Sequence, residues 1–408
     1  MGEILPPAVT AGRSTVGGVR GRARAAGLTV GILADAVLGD PRRGHPVAGF
    51  GMLAAGLERR VYRDSRAAGA GYTVVLVGGA VLAGAGAEHA LAGAARSRWA
   101  WRGGAGGAAG GAGRIRAAGR GTGRTRAAGG GSGRAGAVTG GGRARVAAQV
   151  LLTAVTTWAV LGGTSLTREG AALAGALDAG DLAAARARIP SLCARDPELL
   201  DAAGLARAGV ESLAENTSDA VVGPLVWGAV AGLPGLLGYR AVNTLDAMVG
   251  YRSVRHLRFG WASARLDDLV NLVPSRVAAL VTVAVAPLAG GSPRAALRAW
   301  RRDAAGHPSP NAGPVEAAAA GALGLRLGGT TTYAHGVEER PVLGDGHPPG
   351  PADLHRAVRL SRLVAGVSAA LAVGTAWALA ARRADTGLRR AVTRAPGKAA
   401  TCSGATGR

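Results

Sequence analysis

The chain has 408 residues, 48% of them hydrophobic but only 3% aromatic, with 69 glycines and a formal net charge of +23. This balance argues against an ordinary soluble multidomain enzyme, and a mean hydropathy of +0.20 despite 48 basic residues means that apolar runs and charges are segregated along the chain. Lys398 is the sole lysine, which excludes the P-loop and Schiff-base chemistries that need one and leaves phosphate recognition to arginine, helix N-termini or metal. Cys193 and Cys402 have no metal-type spacing and imply no disulfide framework. The basic excess comes without aromatic-basic interleaving or a known binding fold, so no specific nucleic-acid partner is expected.

In chain order, residues 1–27 read as a flexible Gly/Ala/Arg lead-in. Leu28 to Leu38 is apolar but too short to span a bilayer alone, since a span needs about 20 residues, and reads as a half-helix or re-entrant element ending at the turn Gly39-Asp40-Pro41. It carries Asp35 and lacks a cleavage site, so insertion of the mature chain is expected rather than a secretory signal. Tyr72 to Ala94 is the first spanning candidate. Residues 95–145 form an acid-free Gly/Ala/Arg insertion expected to be disordered. Val146 to Leu166 is the second span, followed by a soluble-looking helical region from Arg168 to Ala214, where Asp196 before Pro197 reads as a helix start. Asp219 to Tyr239 is apolar but interrupted by Pro224, Pro234 and glycines, which fits a broken or re-entrant helix. Such breaks are tolerated at membrane depth only where the backbone is buried or lines a wet cavity. Leu272 to Ala289 and Ala357 to Ala381 add spans, Ala312 to Leu327 a half-span, and residues 382–408 a disordered tail. The expected fold is an all-α, polytopic membrane helix bundle. A first membrane part covers 28–94 and the main one 146–381.

The polar residues gather between Glu211 and Arg276 in three knots: Glu215, Asn216 and Asp219; Asn243 and Asp246; and Arg265, Asp267, Asp268 and Asn271. Residues three or four apart share a helix face, so Asn216 with Asp219, Asn243 with Asp246, and Asp268 with Asn271 each set a carboxylate beside an amide. Ionisable groups are rare in membrane bundles and default to functional sites. Hard oxygen ligands suit Mg²⁺ shared with substrate phosphates. The metal ligands are expected among Asp246, Asp267 and Asp268, with Asp268 nearer than Asp267 because it shares its face with Asn271. Glu215 and Asp219 complete the acidic pool, Asn216, Asn243 and Asn271 orient it, Arg265 and Arg276 flank it as phosphate-binding or structural cations, and His307, just before Ser309-Pro310-Asn311, is a candidate general base.

The motifs EN-T-x-D with a following Pro-Leu pair, NTLD-x-M-x-GY and FG-x-x-x-AR-x-DD-x-x-N-x-x-P-x-R resemble those of the cobalamin-biosynthesis CobD/CbiB family. So do LADAVLGDPRRGHPVAGFG (Leu33 to Gly51) and SPNAGPVEAAAAGALGLRLGG (Ser309 to Gly329), in the same order. The likeness covers roughly residues 28–94 and 146–346, and it adds Asp35, Asp40, His45 and Asn311 to the candidates. It implies a multi-pass cell-membrane adenosylcobinamide-phosphate synthase, a ligase joining adenosylcobyric acid to aminopropanol or its phosphate with ATP and Mg²⁺. The implied partners are the corrinoid, the amine, ATP, the lipid bilayer and other cobalamin-pathway proteins. Two other readings stand beside it: a Mg²⁺-dependent prenyl- or alcohol-phosphotransferase, suggested by Asp267-Asp268-x-x-Asn271, and a non-catalytic corrinoid transporter or scaffold, suggested by broken helices.

Overall fold

A computed structural model describes residues 8–40, 44–93, 135–251, 253–333 and 336–393. The main helices are α1 (Ala8–Leu38), α2 (Pro46–Val61), α3 (Arg66–Gly93), α4 (Ala135–Val160), α5 (Gly163–Asp178), α6 (Ala202–Thr217), α7 (Gly223–Ala231), α8 (Leu233–Val249), α9 (Trp261–Val270), α10 (Leu272–Val285), α11 (Pro293–Asp303), α12 (Ala312–Leu323) and α13 (Pro351–Thr393). One antiparallel hairpin, β1 (Leu327–Tyr333) and β2 (Gly336–Leu343), interrupts the helical bundle. Among the described residues, four segments are long and apolar enough to cross a membrane: Arg66–Leu91, Gly142–Asp178, Leu272–Ala289 and Pro351–Asp385. They overlap the four spans expected from hydropathy and contain three of them whole; the first ends at Leu91, short of the expected Ala94, which lies outside the described residues. The second is broken at Gly162, whose N–H bonds Ala220 O, and its continuation α5 joins the core instead of starting a soluble region.

Three sequence expectations are corrected. The lead-in is helical from Ala8 onward, so Leu28 to Leu38 is the end of a 31-residue helix and not an isolated half-helix. Its glycines allow this: Gly27 and Gly31, one turn apart, lie against Thr153 and Thr157 of α4, and Gly21 lies against Ala380 of α13. Small residues at this period let helix backbones approach closely, a source of packing energy that hydropathy does not register. The insertion lies outside the described residues up to 134, but its end, 135–145, is the start of α4. Likewise α13 continues to Thr393, with 394–408 outside the described residues.

The expected break between Asp219 and Tyr239 is present. Ser218–Val222 forms a π-helical turn, α7 follows, and Gly232 at φ +70° turns the chain into α8. Only glycine adopts that conformation without strain. The two helices fold back as a tight hairpin, with Gly228 against Leu236 and Gly235 against the Trp227 carbonyl. Its tip is fastened from outside: Glu88 of α3 accepts from Leu233 N (3.1 Å), and Arg24 of α1 donates to Val230 O (3.0 Å) and lies 3.7 Å from Glu88. Both open ends of the hairpin, at Asp219 and Asp246, are thus left at the Arg66 end of α3, where Tyr72 and Leu76 pack with Leu245, Val249 and Phe259.

Gly84 of α3 sits against the backbone of Leu233 and Pro234, where a Cβ would collide. Gly84→Ala is expected to separate α3 from the hairpin tip and to cost about 1–3 kcal/mol, the range for overpacking. Thermal unfolding of the purified protein in detergent measures this; an unchanged midpoint would contradict the close approach.

Candidate active site

The site is built where the mouth of the α7–α8 hairpin meets the α9–α10 junction. Asn271, 1% exposed, stands at that junction and ends α9 through its N–H to Asp267 O (3.0 Å). Its side-chain N–H donates to Asp267 Oδ2 (2.9 Å), its Oδ1 accepts from the Tyr239 hydroxyl (2.7 Å), and its carbonyl accepts from Ser275 Oγ (2.7 Å). The same Tyr239 hydroxyl lies 3.1 Å from Asp219 O. Gly223 makes room for that ring, since a Cβ there would strike the phenol. Asn243 donates to Asp219 Oδ2 (3.5 Å) and accepts from Arg240 (3.4 Å), whose charged neighbours are Asp40 and Asp219.

The knots therefore converge, but their amides pair differently from the sequence expectation. Asn271 bonds Asp267, four residues back, and not Asp268, because the helix ends there and the i,i+4 geometry is the closer one. Asn243 reaches Asp219 rather than Asp246. Asn216 turns away to Ser212 and Leu192 O, since the π-helical turn after Thr217 rotates Asp219 off its face. Asp267, Asp219 and Asp246 interact electrostatically with one another, and Asp268 with Asp246 and Asp267. Asp268 itself faces outward, 33% exposed and 3.5 Å from Arg265, which is 66% exposed. Glu215 remains accessible although protein surrounds it, and it interacts with both Asp219 and Asp246.

Arg276 is held within the protein: it donates to Asn311 Oδ1 (2.9 Å), which also lies 3.1 Å from Ser275 Oγ, and Asn311 donates to Asp268 O (2.8 Å). Asn311 thereby bolts α12 to the α9–α10 junction. Asp40 is brought beside Arg240 by the end of α1, Asp35 accepts from Thr164 (3.1 Å), and His45 caps α2 through Val47 N (3.2 Å). Asp196 caps only a short turn, through Glu198 N, while α6 starts at Asp201.

His307 is placed elsewhere. It is 8% exposed, with Nε2 3.9 Å from Glu316 Oε2, and its other charged neighbours are Arg340 and Glu211. Burial holds its imidazole below the ordinary range and pushes Glu316, beside Glu211 and Glu215, well above the ordinary carboxylate range. Burial thus favours the neutral form of each. Glu211 pairs with buried Arg195 and accepts from Gly328 N of the hairpin (2.8 Å). Glu211, Glu316 and Arg340 were not among the candidates. One signal for Glu316 was legible: a single acid inside AGPVEAAAAGAL, a helix of small residues buried along its whole length.

Among the described residues no three His, Cys, Asp or Glu side chains converge into a ready-made metal cage. Mg²⁺ does not require one, as it takes one or two protein carboxylates and completes its shell with water and substrate phosphates. The donors fit that mode: Asp267 Oδ1 is buried without a hydrogen-bond partner, among other carboxylates. Asp246 and Asp267 lie outside the four apolar spans. Burial, then Asp268 and Glu215, push Asp246 up to about 6; burial, then Asp246, push Asp267 up to about 7.

A raised carboxylate pKa means that the folded state holds protons the unfolded chain has lost, so stability falls as pH rises from the ordinary carboxylate range to about 7. A divalent cation expels those protons. The cation-free protein is expected to melt higher at about pH 5.5 than at about pH 7.5, with the difference reduced in Asp267→Asn. Mg²⁺ added near pH 6 should release protons into weak buffer. Absence of both effects would remove these carboxylates from a cation site.

The family model described as CobD/Cbib protein matches residues 28–109 and 127–361. The cobalamin biosynthesis protein CobD of Mycobacterium tuberculosis (strain H37Rv) is 49% identical over 350 residues, 86% of this chain and 95% of that protein. The protein of the same name from Chromobacterium violaceum is 36% identical over 86% of this chain and 96% of its own length. That from Rhodobacter capsulatus is 47% identical over 56% and 73%. No solved structure matches. The match runs further into the insertion and toward α13 than the motifs alone indicated, and it includes every residue of the site just described. The chain belongs to the CobD/CbiB family.

Proposed function

We propose that this protein is the cobalamin-biosynthetic ligase that joins the free carboxyl group of adenosylcobyric acid to aminopropanol or aminopropanol phosphate, driven by ATP. Family membership and the relatives' names support the pathway. The observation that carries the reaction class is the convergence of Asp219, Asp246 and Asp267, with Asn243, Asn271 and Arg240, at the open end of a broken-helix hairpin. The protein acts as a multi-pass component of the cell membrane. The arginines at the Arg66 end of α3 and near Arg240 to Arg258 favour the cytoplasmic side for that end and for the site. Other proteins of the pathway supply and withdraw the corrinoid there.

In this reading the γ-phosphoryl group of ATP passes to the corrinoid carboxylate, the amine attacks the resulting acyl phosphate, and inorganic phosphate leaves as the amide forms. Bound Mg²⁺ would neutralise charge on the transferring phosphoryl group. Asp267 and Asp246 would hold it, with Asp268 at the outer edge. Asn271 and Asn243 fix the carboxylates so that no reorganisation is needed when charge develops. Arg240, held by Asn243 between Asp40 and Asp219, supplies the inner positive charge, and Arg265 an outer one. Glu215, accessible and beside this cluster, is positioned to take the proton that the amine loses. His307, neutral and buried against Glu316, supports the floor of the site instead.

The test is purified protein in lipid nanodiscs with ATP, Mg²⁺, adenosylcobyric acid and either amine, read by corrinoid mass. The expected result is a gain equal to the amine minus water. Asp267→Asn and Asp219→Asn should lower turnover by about a hundredfold or more, as expected for groups that stabilise transition-state charge. A folded protein that leaves the corrinoid mass unchanged, or that yields a prenylated product, would overturn the assignment.

A further inference from the structure

Beside the carboxylate cluster, on its solvent side, lies an 880 Å³ cleft between the start of α3, the loop after α8, and α9. Its size falls within the range of roughly 300–1,000 Å³ typical of small-molecule sites. Arg66, Arg258 and Arg265 line it, Asp268 forms part of its inner wall, and Tyr251 and Trp261 contribute aromatic surface that is 58% and 43% exposed. The Arg66 guanidinium lies over the Trp261 ring, 5.5 Å from its centroid. Gly250 also lines the cleft, and a Cβ on it would collide with the Asp246 carboxylate. The Asp246 carboxylate thus lies directly behind this wall.

The geometry points to this cleft as the nucleoside triphosphate subsite, with the base against Trp261 and Tyr251 and the polyphosphate among Arg66, Arg258 and Arg265, its terminal end toward Asp268 and Asp246. The inference deepens the proposed ligase reading and rests on ATP being its co-substrate. Three features together select a polyphosphate. Guanidinium forks match phosphate oxygens bidentately. Carboxylates in the same wall would repel a bare phosphate but suit one that arrives with a divalent cation bridging its oxygens. Exposed aromatic rings, scarce in this chain, offer a stacking face that an amino-alcohol phosphate does not need. An anionic lipid headgroup shares the phosphate chemistry but has neither the base nor the bridging cation.

The experiment is calorimetric titration of the full-length protein in nanodiscs with a non-hydrolysable ATP analogue, with and without Mg²⁺. Arg66→Ala, Arg258→Ala and Gly250→Val are compared with the native chain, and melting midpoints confirm folding. Removing one charge-assisted hydrogen-bonding group to phosphate should weaken binding by about tenfold to a hundredfold. Gly250→Val should abolish the Mg²⁺-dependent part by displacing Asp246. Cobyric acid affinity should not change in the two arginine variants. If the native chain binds no nucleotide, the ATP-dependent reading itself fails. If it binds nucleotide and the variants bind equally well, the subsite lies elsewhere and the inference is overturned while the ligase reading stands. If the variants lose only their preference for phosphatidylglycerol over phosphatidylcholine nanodiscs, the cleft is a lipid site and the inference is likewise overturned.

Discussion

The Tyr239 hydroxyl holds the site together. Its single proton is directed at Asn271 Oδ1, 2.7 Å away, with the Asp219 carbonyl 3.1 Å away, so one atom ties the re-entrant hairpin to the α9–α10 junction. Asn271 is then fixed on three sides and presents its amide N–H to Asp267, which sets the orientation of that carboxylate. Because Asn271 is buried, loss of the tyrosine hydroxyl would strand a polar group, at about 1–3 kcal/mol. A structural bond and the orientation of a candidate-site carboxylate are therefore the same interaction.

The hairpin that carries Tyr239 is held by a second constraint at its far end. Gly232 must adopt positive φ, and the groups freed by the break are met by Glu88 and Arg24 from two other helices. This is how irregular backbone survives within an apolar bundle. The buried Arg195–Glu211 pair anchors the β1–β2 hairpin through Gly328. Removing one partner of such a pair costs about 3–5 kcal/mol, since the other is left charged and buried. Glu211, Glu316 and His307 thus form a floor beneath Glu215 that resists rearrangement.

Much of this was legible in the sequence. Hydropathy located the four apolar spans, and Pro224, Pro234 and the surrounding glycines located the break. Polar density located the three knots. Face-sharing arithmetic failed at Asn216 and Asn271, because a π-helical turn and a helix end change the angle between residues by more than the rule assumes. The register of α1 against α4 was missed because Gly27 and Gly31 bring the backbones together through what they lack, and hydropathy does not score that. Arg340 was missed for a different reason, and the partners of Glu316 with it: Glu316 meets Glu211 and Glu215, about 100 residues earlier, as well as Arg340 on β2, and contacts between separate elements leave no local pattern.

The proposed chemistry depends above all on Asp246 and Asp267 holding a divalent cation at the mouth of the hairpin. Mn²⁺ substituted for Mg²⁺ reports on this directly by electron paramagnetic resonance. The expected result is a bound Mn²⁺ whose spectrum changes when the ATP analogue is added, and whose affinity falls in Asp267→Asn and Asp246→Asn but not in Arg302→Ala, on α11, whose guanidinium pairs with Asp303 and Asp345. Mn²⁺ binding in both aspartate variants as strong as in the native chain would contradict it.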